Sequence, residues 1–196
     1  MEIILVGHSI GSEITLQLTR LLDNKTRIQR SFLLFPSIES MGILDEAKSL
    51  TKLFRFKWLF LPVVFLLSVL NVGLKEKIIS RVVPAVRYKK APPCLVEAIL
   101  DMVNWRVTKN IVSMAEDEFR TVELIDENQI RNYASKFVFV YGKNDHWAPK
   151  DAYETNKVKF PDCDMSLVDI PHAFVMEKEH TDVIINIIVD KLNDSK

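Results

Sequence analysis

Cysteine is scarce in this chain of 196 residues. Only Cys94 and Cys163 are present, far apart and without C-x-x-C spacing or a neighbouring cluster of histidines. This pattern argues against a disulfide framework and gives no indication of a zinc site. Met1 leads directly into an apolar run, so we expect no secretory signal. The sequence therefore indicates a protein of a reducing compartment, and we expect neither a metal nor a cofactor.

Net charge is also lacking, because 26 basic residues balance 26 acidic ones. Nucleic acid is therefore not indicated as a partner of the chain as a whole. The balance is uneven along the sequence, since the stretch from Lys52 to Lys90 has nine basic residues and Glu76 as its single acidic one. This local excess of positive charge favours contact with an anionic lipid surface.

A hydrophobic run long enough to cross a bilayer is missing too. The most apolar stretch, Trp58–Leu70, would be ~20 Å long as a helix, against ~30 Å of hydrocarbon. Pro62 is expected to interrupt it, and Asn71 and Gly73 offer a turn after it. An apolar element with basic flanks predicts a hairpin over about residues 56–86 that lies in a lipid surface. A lid helix over an acyl pocket, or a buried core helix, would show the same apolar run.

Glycine is rare as well, yet two of the five glycines flank one serine, in Gly7-His8-Ser9-Ile10-Gly11. The run Ile3–Val6 predicts a strand before this motif, and the helical spacing of apolar residues predicts a helix after it. A strand, a G-x-S-x-G turn and a helix form the nucleophile elbow of α/β-hydrolases. Gly7 and Gly11 would lie where the turn leaves no room for a β-carbon. The backbone N–H of Ile10, at the positive end of the helix, would donate to an oxyanion.

Further apolar runs predict a parallel sheet. Ser31–Phe35, Lys136–Tyr141 and Met165–Ile170 have the composition of buried strands, and Thr181–Leu192 has an amphipathic helical pattern. We therefore expect an α/β fold, with a single α/β-hydrolase domain over residues 1–196 and a partial parallel sheet. Residues 40–130 would form a helical insertion or lid that contains the lipid-surface hairpin.

An acid and a base should follow the serine in chain order, at the carboxyl ends of later strands. Asp145 follows one predicted strand and His172 follows the last one. In a parallel sheet these two residues would reach the same edge as Ser9. We therefore predict a catalytic set of Ser9, Asp145 and His172.

Alternatives for the acid and the base remain in the sequence. His146 adjoins the proposed acid and is the alternative base, whereas His8 would point away from its own serine and His180 would be solvated. The alternative acids are Asp126, Asp151, Asp162, Asp164 and Asp169.

Four segments of the chain resemble the lipid droplet-associated hydrolases. These segments are Gly7–Ser12, Leu33–Glu39, the apolar stretch at Leu61-Pro62, and Ile170–Phe174. The resemblance runs over essentially the whole chain and implies an α/β-hydrolase fold, serine hydrolase activity on acyl or sterol esters, and a role in lipid storage. By this match Ser9 is the nucleophile, Asp145 the acid and His172 the base. The resemblance also implies attachment to lipid droplets and to the cytosolic face of the endoplasmic reticulum, through Trp58–Leu70 and its flanking Lys and Arg residues.

The elbow begins only six residues after the start of the chain. In α/β-hydrolases several strands and part of the oxyanion hole precede this motif. We therefore expect an N-terminally short form, and the loss of one oxyanion donor typically lowers turnover ~10²–10³-fold. Two functions follow from the sequence. The first is a serine ester hydrolase, and the second is a catalytically weak or inactive lipid-droplet surface protein anchored by its apolar hairpin.

Overall fold

A computed structural model of the chain describes residues 2–22, 27–39, 44–82, 93–122 and 124–194. In chain order its elements are β1 (Glu2–His8), α1 (Ile10–Leu22), β2 (Arg27–Leu34), α2 (Asp45–Phe54), α3 (Lys57–Ser68), α4 (Val72–Val82), α5 (Pro93–Met102), α6 (Trp105–Thr121), α7 (Glu127–Asn132), β3 (Phe137–Gly142), α8 (Lys150–Lys159), β4 (Asp164–Val168) and α9 (Lys178–Asn193). The chain divides into two compact units, a sheet unit of residues 1–47 and 119–196 and a helical unit of residues 48–118.

The strands of the sheet unit form one parallel sheet in the order β1-β2-β3-β4. Gly7 of β1 is level with Leu33 of β2, and Ser31 of β2 is level with Phe137 of β3. Helices connect or flank these strands, and each strand overlaps one of the apolar runs in the sequence. The prediction of an α/β fold with a partial parallel sheet is confirmed.

Both faces of β3 and of the carboxyl half of β2 are covered, which explains why these segments are apolar without alternation. Residues 137, 139 and 141 of β3 pack on one face with Leu16 of α1 and Ile130 of α7. Residues 138 and 140 pack on the other face with Ile184 of α9. The two layers fix β2 and β3 at the centre of the sheet, and their carboxyl ends therefore form a rigid base for loops.

β1 lies at one end of the strand order. Its exposed side has no strand partner within the described part of the chain, and its Ile4 and Val6 side chains are exposed. An apolar edge strand of this kind is a template for pairing with further backbone.

The helical unit contains an apolar helix, α3, that differs from the sequence-based expectation. Pro62 lies inside α3 and does not interrupt it, so that prediction is wrong. Proline removes the N–H that would bond the carbonyl four residues earlier, and here that carbonyl belongs to Trp58, in the first turn of the helix. The loss falls where the helix begins, and α3 continues to Ser68.

A turn does follow α3, at Asn71. Its side-chain Oδ1 accepts a hydrogen bond from the N–H of Leu74 at 2.9 Å and starts α4. Gly73 lies within α4 rather than in the turn. The end of the predicted hairpin, residues 83–86, lies outside the described residues. Within the described ranges, no helix combines the length and the apolar character needed to cross a membrane.

Contacts within the helical unit are partly polar. The Lys57 ammonium donates to both carboxylate oxygens of Glu116, at 2.6 and 2.8 Å. Phe65 meets Trp105 edge to face, with ring centroids 6.0 Å apart. Several large apolar side chains of α3 and its ends remain exposed, among them Trp58, Leu66 and Val69.

Candidate active site

Ser9 occupies a strained turn between β1 and α1. Its φ of +57° lies in the left-handed region, which non-glycine residues rarely adopt and which costs ~1–3 kcal/mol. Backbone hydrogen bonds hold the turn in place: the N–H of Ser9 donates to the carbonyl of Leu34 at 2.9 Å, and the N–H of Ser12 donates to the carbonyl of Ser9 at 2.9 Å. The hydroxyl of Ser9 is thereby presented at the carboxyl edge of the sheet.

The two glycines of the motif have different surroundings. A β-carbon on Gly7 would lie 2.2 Å from the carbonyl oxygen of Gly11 and 2.4 Å from Oγ1 of Thr15. A β-carbon on Gly11 would meet nothing within 4 Å. The expected crowding is present at Gly7 and the expectation is wrong for Gly11, because the backbone of Gly11 fills the space beside Gly7 while its own Cα faces an open region.

The structure brings Ser9, His172 and Asp145 together. His172 Nε2 lies 3.0 Å from Ser9 Oγ, and His172 Nδ1 lies 2.7 Å from Asp145 Oδ2. The serine comes from the end of β1, the aspartate from the loop after β3, and the histidine from the loop after β4. Their proximity therefore follows from the parallel sheet, and their role in catalysis stays a prediction.

Asp145 is held on both carboxylate oxygens. Its side chain is fully buried, and Oδ1 accepts hydrogen bonds from the N–H groups of Trp147 at 2.7 Å and Ala148 at 3.1 Å. Oδ2 faces His172. Backbone donors on one oxygen leave the other free to accept the proton-bearing nitrogen of an imidazole, which fixes the ring orientation.

His8 contacts the loop that carries His172, and the centroids of the two imidazole rings are 5.0 Å apart. Its Nε2 lies 2.9 Å from the carbonyl oxygen of His172, so Nε2 carries a proton and donates it. The ring packs edge to face on Phe174 and Phe35, at centroid distances of 5.1 and 6.0 Å. Burial is the main cause that lowers the pKa of His8, and the nearby positive charge available to His172 lowers it further. Sequence reasoning missed this contact because it depends on tertiary structure.

Ser37 was also missed by sequence reasoning. Its Oγ lies 3.2 Å from Ser9 Oγ, and its N–H donates to the carbonyl of Ser9 at 3.3 Å. The residue is 1% exposed. It follows β2, whose end is adjacent to the elbow in the sheet, and this register is the only signal that could have indicated it.

The alternative residues have other partners. Asp126 caps α7 by accepting from the N–H of Gln129 at 3.1 Å, and Asp164 pairs with Lys191 at 2.8 Å. Asp169 lies 3.8 Å from Lys143. Asp151 lies in the first turn of α8, and Asp162 lies in the turn before β4. The carboxylate bonded to the His172 ring is that of Asp145.

The remaining histidines do not supply the contact to Ser9. His146 lies beside Asp145 in the same loop, and the imidazole within hydrogen-bond distance of Ser9 Oγ is that of His172. His180 is three-quarters buried in α9 and lies 3.5 Å from Glu177, so the expectation that it is solvated is wrong. Its Nδ1 atom is buried.

Ile10 is the first residue of α1. The first N–H groups of a helix have no carbonyl partner within it and point toward the end where Ser9 lies. This placement is compatible with the predicted oxyanion donor. Among the described residues, no group of three or more His, Cys, Asp or Glu side chains is arranged to hold a metal ion.

This arrangement of sheet, elbow and strand-end loops is that of the α/β-hydrolase fold. Solved structures with the same fold include a carboxylesterase of Nitrososphaera gargenis, with a TM-score of 0.61 and 15% identity over 98% of this chain and 66% of that one. An α/β-hydrolase from a deep-sea metagenome matches with a TM-score of 0.56 and 13% identity, over 92% of this chain and 62% of that one.

Within this class, the sequence itself defines the family. The family model for lipid-droplet associated hydrolases matches residues 1–175. The lipid droplet-associated hydrolase of Homo sapiens is 31% identical over 98% of this chain and 59% of its own length, and that of Gallus gallus is 30% identical over 90% and 55%. The chain belongs to the lipid-droplet associated hydrolase family, and it spans a little over half the length of these relatives.

Proposed function

We propose that this chain carries the catalytic centre of a serine hydrolase that cleaves lipid esters, either acyl or sterol esters. The observation that carries the proposal is the continuous series of hydrogen bonds from Ser9 Oγ through His172 to the buried Asp145. Membership of a family named for hydrolases on lipid droplets supports the lipid substrate. A role in lipid storage would follow from that activity.

In the proposed reaction, His172 Nε2 takes the proton of Ser9 as Oγ forms a bond to the acyl carbon of the ester. The carbonyl electron pair moves to oxygen, and the N–H of Ile10 would donate to that oxyanion. The intermediate then collapses, the bond to the alcohol breaks, and the imidazolium returns the proton to the departing oxygen. Asp145 remains ionised and stabilises the imidazolium. Water repeats the sequence on the acyl-enzyme and releases the acid.

Fluorophosphonate labelling tests the proposal, because the probe reacts with an activated serine and not with an ordinary hydroxyl. We expect the folded 196-residue chain to be labelled at Ser9, and labelling to disappear in Ser9→Ala and His172→Gln. Ser68→Ala is the matched control, since Ser68 is the last residue of α3 and its hydroxyl donates to the carbonyl of Phe65. A folded sample that never reacts would contradict the proposal for this chain and favour the alternative of an inactive surface protein.

We further propose that the helical unit attaches the protein to the surface of lipid droplets and the endoplasmic reticulum. Trp58, Leu66 and Val69 are more than 60% exposed, on and just after a helix whose side chains are all apolar between Lys57 and Ser68. Such a helix gains free energy when it lies at the boundary of headgroups and acyl chains, at roughly 25 cal/mol per Å² of apolar surface removed from water. The basic residues of this region would add attraction to anionic lipid.

A flotation assay tests attachment directly. Triolein droplets coated with phosphatidylcholine and phosphatidylserine are mixed with the protein and floated through sucrose. We expect Trp58→Ser, Leu66→Ser and Val69→Ser together to lower the floating fraction at least fivefold. The control combines Leu124→Ser and Val158→Ser, which remove apolar side chains that are 91% and 84% exposed in the sheet unit. An equal decrease of the floating fraction in both variants would show nonspecific adsorption through exposed apolar side chains. It would refute attachment through α3.

A further inference from the structure

We infer that Ser37 is a second hydroxyl of the catalytic centre, which donates a hydrogen bond to Ser9 Oγ and assists the departure of that oxygen from the acyl-enzyme. The inference rests on the proposed serine hydrolase function and assigns a further catalytic residue to it. It starts from two distances: Ser37 Oγ lies 3.2 Å from Ser9 Oγ, and Ser37 N lies 3.3 Å from the Ser9 carbonyl oxygen.

The direction of the hydrogen bond between the two serines follows from the protons available. The Asp145 carboxylate accepts from two backbone N–H groups on Oδ1, and we assign it as the acceptor on Oδ2 as well, so that His172 Nδ1 donates across their 2.7 Å contact. A neutral imidazole then has a lone pair on Nε2, and the single proton of the Ser9 hydroxyl points to it across 3.0 Å. Ser9 has no second proton to give, and Ser37 is therefore the donor in the contact between the two hydroxyls.

Ser37 is also fixed in place. It is 1% exposed, and its N–H is hydrogen-bonded to the carbonyl of Ser9. Two residues earlier, Phe35 donates its N–H to the carbonyl of Val140 at 2.7 Å. A buried hydroxyl held at main chain and side chain needs little reorganisation when charge develops beside it, and such preorganised donors contribute most in sites from which water is excluded. The hydroxyl faces the one oxygen of the protein that forms and breaks a covalent bond in the proposed reaction.

The two half-reactions use this donor differently. Oγ attack in acylation and Oγ departure in deacylation pass through the same kind of transition state, in which Oγ carries partial negative charge that the Ser37 donor stabilises. Before acylation, however, the hydroxyl oxygen of Ser9 already accepts this hydrogen bond, so little is gained on the way to attack. In deacylation water adds to the acyl carbon, its proton passes to His172, and the bond from the acyl carbon to Oγ breaks. Oγ leaves with the bonding electron pair and takes the proton from His172. The ester oxygen of the acyl-enzyme is a weaker hydrogen-bond acceptor than a hydroxyl oxygen, so the hydrogen bond from Ser37 strengthens more on the way to Oγ departure than on the way to attack. Ser37 keeps its own proton, and the gain is larger in deacylation.

Stopped-flow hydrolysis of p-nitrophenyl butyrate by the 196-residue chain separates the two steps, because the burst of p-nitrophenol reports acylation and single-turnover decay of the acyl-enzyme reports deacylation. We expect Ser37→Ala to slow deacylation about tenfold, as for loss of a weak hydrogen bond to a partly charged oxygen, and to change acylation less than threefold. Ser37→Thr keeps the hydroxyl, and we expect it to restore deacylation to within threefold of wild type. Thermal unfolding of each variant confirms that it is folded.

Three results would overturn the inference. Deacylation within twofold of wild type in Ser37→Ala would show that the hydroxyl does not act on Ser9. Equal slowing of both steps in folded Ser37→Ala would show a structural role alone. Absence of any burst or fluorophosphonate label in the wild-type chain would instead overturn the proposed function, and the role of Ser37 with it, so the two failures are distinguishable. If the extra methyl of Ser37→Thr prevents folding, Ser37→Ala still tests the inference, since this substitution only removes the hydroxyl oxygen.

Discussion

The sheet unit and the helical unit bury their apolar side chains to very different extents. In the sheet unit, apolar layers cover both faces of the central strands, and the candidate site depends on hydrogen bonds between residues from the ends of three strands. In the helical unit, large side chains such as Trp58 and Leu66 stay exposed along α3. The difference teaches that the well-ordered polar site and the exposed apolar surface lie in separate units of this chain. The proposed catalysis would use the first and the proposed attachment to lipid would use the second.

The largest expected effect is a loss of kcat when Asp145, in the sheet unit, is substituted. Asp145→Asn removes the acceptor that orients His172 and stabilises its charged form, and we expect kcat to fall about 10³–10⁴-fold. Turnover of p-nitrophenyl butyrate measures the change. Asp169→Asn is the matched control, because Asp169 is exposed and lies near Lys143 and Asn144, and it should stay within twofold of wild type. A variant at Asp145 that keeps a tenth of the activity would remove it from the catalytic set.

Truncation of a large aromatic side chain to alanine should lower the free energy of unfolding by several kcal/mol more in the sheet unit than in the helical unit. Phe139 is 0% exposed and stacks on Tyr141 with ring centroids 6.2 Å apart, so Phe139→Ala should lower the free energy of unfolding by about 3–5 kcal/mol. Trp58 is 66% exposed, and Trp58→Ala should change it by less than about 0.5 kcal/mol. Urea titration gives both values. A cost above 2 kcal/mol at Trp58 would mean that its ring is buried in solution.

Within the sheet unit, the two glycines of the elbow should respond in opposite directions. Gly7→Ala places a methyl 2.2 Å from the Gly11 carbonyl oxygen and should cost about 1–3 kcal/mol of unfolding free energy. Gly11→Ala meets open space in a helix and should stabilise by up to about 1 kcal/mol. Thermal unfolding of the two variants side by side measures the contrast. Similar shifts of Tm for both would contradict the geometry of the turn.

The smallest expected effect is a pH dependence at His8. Its pKa is lowered in the folded chain, chiefly by burial. The hydrogen bond to the His172 backbone and the charge of Asp145 oppose this shift, and the charge of His172 adds to it. As pH falls below about 6.5 the unfolded chain binds a proton that the folded chain resists, so His8 lowers stability progressively on the acid side. His8→Phe and His8→Gln both remove this slope, and only His8→Gln keeps a donor for the His172 carbonyl. The free energy of unfolding between pH 5 and 7.5 tests this, and an unchanged slope would contradict it.

The central strands and the elbow could be predicted because their signals are local. Strands buried on both faces appear as continuous apolar runs, and a serine between two glycines at a strand end marks a tight turn. The chain order of Asp145 and His172 then sufficed to place them near Ser9, because parallel strands bring their carboxyl ends to one edge. Short segments of the sequence were therefore enough to predict the fold class and which three residues lie together in the candidate site.

Features that depend on distant contacts could not be predicted. The helix α8 has a charged sequence, and the side chain it buries, Asn156, donates to Glu39 at 2.7 Å, from a distant part of the chain. Ser37 and His8 acquire their partners only when strands align. The expectation for Pro62 was wrong because the effect of a proline depends on its position within the helix. The expectation for Gly11 was wrong because the motif was taken to crowd both of its glycines, whereas only Gly7 faces nearby atoms.

The pairing of β2 with β3 has a consequence for how the protein is made. Ser31 and Phe137 are neighbours in the sheet but lie roughly a hundred residues apart in the chain. At ~5–20 residues per second, a ribosome synthesises Phe137 several seconds after Ser31. During that interval the apolar end of β2 has no third strand to cover it. We expect the nascent chain to need a holding chaperone until β3 emerges, and a synonymous slowing of translation between the two strands to lower the yield of folded protein.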